Sequence, residues 1–159
     1  MGVLSSRAHA VIARAPDDVS AVRSEWMLDI ALRLRLAAPL TAPSGSAIIL
    51  GGDARGPLLN GEVLPGALEW SQDPARGVLH LSARYDLQDE HGLRIHVADS
   101  ATVAIKNASG HWEGLFPTSP DLQLISGAAT ACPHGLYLGR MDARQLDAGK
   151  LRLNVHRVV

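Results

Sequence analysis

The chain has 159 residues, 15 of them Lys or Arg and 16 Asp or Glu, for a formal net charge of -1 at pH 7. That length fits one domain large enough to bury a core. With only two lysines, Lys106 and Lys150, and its arginines scattered, the chain has no basic stripe to neutralise phosphates, so nucleic acid is not an expected partner.

The single cysteine, Cys132, excludes an intramolecular disulfide and a cysteine metal cluster, and it fits a cytoplasmic setting. His134 lies two positions on, but across Pro133 the pair reads as a turn and not as a reactive dyad. The opening MGVLSSRAHAVIARA is broken by Arg7, His9 and Arg14 and lacks the apolar centre of a signal peptide. No stretch approaches the roughly 18 uninterrupted apolar residues of a membrane helix, so no membrane partner is expected. Residues 1–25 read as a loosely ordered arm or a short helix, and residues 26–159 as a single β domain. Helical signal is confined to residues 16–24, where Asp17 or Asp18 is placed to cap a turn, and to residues 142–146.

From Trp26 the dominant period is two. In WMLDIALRLRLAA the positions Leu28, Ile30, Leu32, Leu34 and Leu36 are apolar, with Asp29, Ala31, Arg33 and Arg35 between them. A helix would spread those leucines around its circumference, so the segment predicts a strand with one buried face. Pro39, Pro43 and Gly45 then precede the strand SAIIL. The glycine-rich GGDARGP lacks the lysine of a phosphate loop and reads as a turn before LLNGEVL. Pro65 and Gly66 precede ALEW.

Next comes GVLHLSARYDL, a long strand with Leu79, Leu81, Ala83, Tyr85 and Leu87 on one face, then the loop QDEHG and the strand LRIHVAD. Further strands are expected at DLQLIS, HGLYLGR and KLRLNVHRV. Many short strands separated by turn signals predict an all-β, antiparallel barrel with little helix. Closure also removes the edges that so leucine-rich a sheet would expose.

If Leu87 lies opposite Leu93, the hairpin places Asp86 against Arg94, Arg84 against His96 and His80 against Ser100. One face is then apolar, and the other collects His80, Arg84, Asp86, Arg94 and His96. The polar row faces either solvent or the lumen. Solvent is the ordinary case for an antiparallel sheet, whereas small ligand-holding barrels mix apolar walls with a few inward polar groups.

Two segments carry the candidate chemistry: GEVLPGALEW, residues 61–70, and LSARYDL, residues 81–87. Glu69 beside Trp70 is a carboxylate next to a flat apolar wall, where partial desolvation favours proton transfer. Arg84 offers a planar fork for a carboxylate, enolate or phenolate. The plain alternative is a Glu69–Arg84 ion pair that only satisfies charge. Glu62 is a second candidate acid and His96 a candidate proton shuttle. Trp112, in the loop SGHWEG, is a candidate lid over the barrel mouth. The expected catalytic set is therefore Glu69, Arg84 and His96, and the expected substrate-binding set is Trp70, Tyr85, Glu62 and Trp112. The seven dispersed histidines show no metal-ligand spacing, so no metal is expected, and no nucleotide or nucleophile motif occurs, so no cofactor is expected.

GPLLNGEVLPGALEW followed by LHLSARYDLQDEHGLRIHV resembles the β-barrel family named as a domain of unknown function, DUF3237, from about the first strand through LRLNVHRV. The resemblance implies a calycin-like, or lipocalin-like, barrel that self-associates as a homo-oligomer. The family's Pro-Gly turn falls on Pro65 and Gly66, its acid-Trp pair on Glu69 and Trp70, with Glu for the more usual Asp, and its Arg-Tyr on Arg84 and Tyr85. Departures are Ser82 where the family tends to be acidic and His96, Ala98, Asp99 and Ser100 where it often has an aromatic and arginines. Leu122 and Gln123 stand for the usual Phe-Glu. The leading expectation is a cofactor-independent barrel that binds a small aromatic or carbonyl-bearing metabolite and acts on it by acid/base chemistry, as an isomerase, cyclase or lyase. The rivals are a non-catalytic carrier or sensor with the same pocket, and a self-assembling barrel with a filled core.

Overall fold

The computed structural model describes residues 23–104 and 114–159. The strand expected from Trp26 is β1, Ser24–Leu36. Leu28, Ile30, Leu32 and Leu34 are buried, Asp29, Arg33 and Arg35 face outward, and Ala31 is half-buried. The register slips between Trp26 and Leu28, which buries Met27 as well as Leu28. Such bulges bend a strand and help a sheet to curl.

β2 is Ser44–Arg55, and here the turn expected at GGDARGP is corrected. Gly51, Gly52, Asp53, Ala54 and Arg55 continue the strand and pair with β1, and the chain turns only after them. The physical reason is close approach. A Cβ on Gly52 would stand 1.8 Å from the Ala31 carbonyl oxygen, so only glycine lets β2 lie against β1 there.

β3, Gly61–Val63, and β4, Gly66–Asp73, are two pieces of one strand interrupted at Leu64 and Pro65, and both lie between β2 and the long β5, Val78–Asp89. β6 is Arg94–Ala104. The expected β5–β6 hairpin forms, but its register differs by two residues on one strand from the one anticipated. Leu87 opposes Ile95, Asp86 opposes His96, and Arg84 opposes Ala98. The strands extend to Asp89 and from Arg94, and Asp89 caps the loop between them, accepting the His91 and Leu93 amides at 2.9 Å.

β7, Leu115–Thr118, and β8, Asp121–Ser126, stand at the two ends of the paired sheet. β8 pairs with β6, while β7 pairs with β9, Tyr137–Asp142, so the bend at Ser119 and Pro120 joins the two ends of the sheet. The Ser119 amide donates to the Ser100 carbonyl at 2.9 Å across this seam. A single 3₁₀ turn, Leu146–Ala148, precedes β10, Lys150–Val158, which returns beside β1. It stands where residues 142–146 carried helical signal, a few positions on. The described residues thus form an all-β antiparallel barrel with a leucine-rich interior. No described helix is long and apolar enough to cross a membrane. Most of the expected N-terminal arm lies outside the described residues.

Candidate functional site

Alternation decides which side chains enter the barrel. On β5 the inward residues are Leu79, Leu81, Ala83, Tyr85 and Leu87, so of the two orientations left open the polar row takes the outer one. On β6 they are Ile95, Val97, Asp99 and Ala101, so a carboxylate occupies a position in phase with the core. Among the described residues, Asp99 and Thr118 are the buried side chains outside the apolar set, and Asp99 is only 3 % exposed.

Asp99 sits opposite Ala83, two positions along β6 from Val97, the partner of Tyr85. Tyr85 and Asp99 are therefore diagonal neighbours on the inner face, a spacing within reach of long side chains. On the other side lies the seam, where Thr118 Oγ1 donates to Asp99 Oδ2 at 2.9 Å. Thr118 opposes Gly139 of β9, and a Cβ there would stand 2.1 Å from the Thr118 hydroxyl. The glycine leaves room for the hydroxyl that holds the carboxylate. Trp70 of β4 also points inward, opposite Leu81, with its indole over Gly45, where a Cβ would meet the ring at 2.3 Å.

The electrostatics follow from burial. Desolvation pushes the Asp99 carboxyl up to about 6, against the opposing influence of the Thr118 hydroxyl and the Ser100 backbone amide. Tyr85 is raised well above the usual phenol range, first by burial and then by the nearby Asp99 charge. It therefore stays a neutral hydroxyl at ordinary pH. Asp99 Oδ1 and the Tyr85 hydroxyl are both buried without a hydrogen-bond partner among the described residues. Buried polar atoms are nearly always paired, which makes these two atoms on adjacent strands the candidate site.

Of the residues the sequence singled out, Trp70 and Tyr85 stand in this interior. Glu62, Glu69 and Arg84 are exposed on the outer face, opposite Asp53, Ser82 and Ala98 respectively. Strand alternation therefore separates Glu69 from Trp70 and Arg84 from Tyr85. A shallow depression of about 200 Å³ beside Glu69, Ser71, His80 and Ser82 is the surface near that carboxylate. His96 is also on the outer face, where its Nδ1–H donates to Asp86 Oδ1 at 2.6 Å, while Arg94 Nε donates to Asp86 Oδ2 at 2.9 Å. Arg84 does not meet His96, because the hairpin register brings Asp86 there instead. Trp112 lies outside the described residues. No group of metal-ligating side chains occurs among the described residues.

A larger groove of about 700 Å³ crosses the outer face of β1, β2, β9 and β10. Its charges oppose one another in register, Asp29 against Arg55 and Asp142 against Arg152, and Asp29 also accepts from Trp26 Nε1 and Asn154 Nδ2. Asp29, Asp53 and Asp142 face Arg55, Arg140 and Arg152 in its lining, so its formal charges balance. The sequence marks Asp99 only as a departure from the family pattern, although continuing the Ile95–Val97 alternation by one step places it on the inner face.

Fold and interior together define a class: antiparallel β-barrels whose apolar interior holds a small polar cluster. Within it the chain belongs to the family described as "Protein of unknown function (DUF3237)", whose model matches residues 25–112. Among solved structures it is similar to a conserved protein of unknown function from Rhodopseudomonas palustris, at 18% identity over 87% of this chain and 98% of that one, with a TM-score of 0.71. It is also similar to a beta-barrel like protein from Acinetobacter baumannii AYE, at 15% identity over 87% and 96%, TM-score 0.65. An enzyme from Penicillium herquei is similar at 16% identity over 87% and 95%, TM-score 0.56. These likenesses show the fold. No curated protein matches the chain.

Proposed function

We propose that the barrel binds a small aromatic or carbonyl-bearing molecule in its interior and moves a proton on it without a cofactor, as an isomerase, cyclase or lyase. The observation that carries this reading is the pair of buried, unpartnered polar atoms, Asp99 Oδ1 and the Tyr85 hydroxyl. A carboxyl at about 6 is largely ionised at pH 7 yet basic enough to take a proton. Asp99 removes a proton from carbon or oxygen of the substrate and returns it elsewhere on the same molecule or to a leaving group. The neutral Tyr85 hydroxyl donates to the oxygen on which negative charge develops. Trp70 supplies a flat wall that orients the ring. The Penicillium herquei relative, described as an enzyme, supports catalysis on this fold.

The test is solvent-deuterium exchange, followed by NMR, into a panel of enolisable aryl ketones and phenols incubated with the protein. The reading expects catalysed exchange that Asp99→Asn abolishes and that Glu69→Gln and Arg84→Ala leave intact. Exchange that survives Asp99→Asn would move the base elsewhere. Binding without exchange would make the protein a carrier. Neither binding nor exchange would favour a leucine-filled structural barrel.

A further inference from the structure

The donor and acceptor inventory of the interior narrows the ligand. Asp99 Oδ1 accepts hydrogen bonds, and the Tyr85 hydroxyl has one hydrogen to give and lone pairs to offer. Among the described residues no Lys, Arg or His is fully buried beside them, and Arg84, expected to hold an anion, points to solvent. The surroundings are apolar: Ala83 opposite Asp99 with Leu68 beyond it on β4, Val97 and Ala101 on either side along β6, and the Trp70 indole one level away on β4.

Each common ligand head group can be tried against this set. A carboxylate accepts from Tyr85 but meets the Asp99 charge with no cation to offset it, in surroundings where repulsion is poorly screened. An ammonium satisfies Asp99 but has no lone pair for the Tyr85 hydrogen. A hydrocarbon leaves both polar atoms unmet. A hydroxyl does both jobs at once, donating to Asp99 Oδ1 and accepting from Tyr85. It is the one head group of the four that closes the cluster.

We infer that the interior site takes an uncharged, hydroxyl-bearing aromatic molecule, its hydroxyl bridging Asp99 Oδ1 and the Tyr85 hydroxyl, and that it rejects carboxylates of the same shape. The inference rests on the proposed reading of the barrel interior as a ligand site and adds the class of ligand. Shape alone does not distinguish the head groups, because the aromatic wall is the same for each. Discrimination comes from the two polar atoms, and unmatched buried groups are what make such discrimination large.

Four matched probes test it: p-cresol, p-xylene, p-toluate and 4-methylbenzylamine, titrated into the full-length protein at pH 7.5 and followed by chemical-shift perturbation. The expected result is that p-cresol binds at least tenfold more tightly than each of the others. Tyr85→Phe and Asp99→Asn should each shrink its margin over p-xylene, and Asp99→Asn should also lessen the exclusion of p-toluate. Equal or tighter binding of p-toluate or 4-methylbenzylamine overturns the inference while leaving an interior site. Equal binding of p-xylene and p-cresol overturns it as well. If none of the four binds, the interior reading itself falls, and the inference with it.

Discussion

Asp99 and Asp86 belong to the same hairpin and have opposite surroundings. Asp86, outward on β5, is held by Arg94 and His96. Its partial burial works against ionisation, but the bonds from His96 and Arg94 outweigh it and hold the carboxyl below its ordinary value. Asp99, inward on β6, is opposed only by the Thr118 hydroxyl and the Ser100 backbone amide, and burial pushes it up to about 6. Two like side chains on neighbouring strands are thus a satisfied surface acid and a desolvated candidate base. The difference is strand phase: one step along a strand reverses the face, and the face decides whether water or hydrocarbon surrounds the charge.

The largest effect that should separate the two is on proton transfer. A positioned acid or base typically contributes about 10²–10⁴-fold, so Asp99→Asn should cut exchange rates by at least about a hundredfold. Asp86→Asn should change them less than about twofold, and steady-state rates of both variants on one responsive probe would settle the matter. An equal loss in both would erase the distinction.

Stability against pH gives the second separation, with opposite signs. Asp99 has a folded value raised to about 6, so between about pH 4 and 6 the folded protein keeps a proton that the unfolded chain has released. Its contribution therefore falls as pH rises through that window, by an amount on the order of 3 kcal/mol. Asp86 is depressed, so its contribution is present above the ordinary carboxylate value and is lost as pH falls through its lower folded value. Urea unfolding at a series of pH values should show the Asp99→Asn protein lacking the loss between about pH 4 and 6. The Asp86→Asn protein should instead lose less stability below about pH 4.

Smaller effects sharpen the picture. Gly139→Ala puts a methyl 2.1 Å from the Thr118 hydroxyl and should cost about 1–3 kcal/mol, together with a shift in the Asp99 titration, because the hydroxyl must move. Equilibrium unfolding combined with that titration would expose a purely steric effect, which leaves the titration unmoved. Smallest of all, Arg94→Ala removes a half-exposed pairing with Asp86 and should cost no more than about 1 kcal/mol. A larger loss in a denaturant series would mean the outer network helps to hold the hairpin.

Much of the fold was legible because period-two patterning is a direct record of burial. Leu28, Ile30, Leu32 and Leu34, and likewise Leu79, Leu81, Ala83, Tyr85 and Leu87, face inward as their alternation indicates. Register was not legible, since shifting β6 by two residues keeps every apolar side chain on the apolar face and changes only which polar groups meet. That degeneracy is why Arg84 was paired with His96 where Asp86 stands. Nor was the site fully legible. Trp70 and Tyr85 were named for their neighbours Glu69 and Arg84, yet adjacent residues on a strand point to opposite faces. Thr118 and Gly139 come from a barrel seam that no local pattern encodes.

The barrel interior, not the outer hairpin face, holds the carboxyl that burial pushes up. Carbon-detected NMR titration of the aspartate side-chain carboxyls, assigned through Asp99→Asn and Asp86→Asn, measures this directly. The account predicts a midpoint of about 6 for Asp99 and one below the ordinary value for Asp86. An Asp99 midpoint near the ordinary value of about 4 would contradict it, because the carboxyl would then be solvated and no longer poised to take a proton.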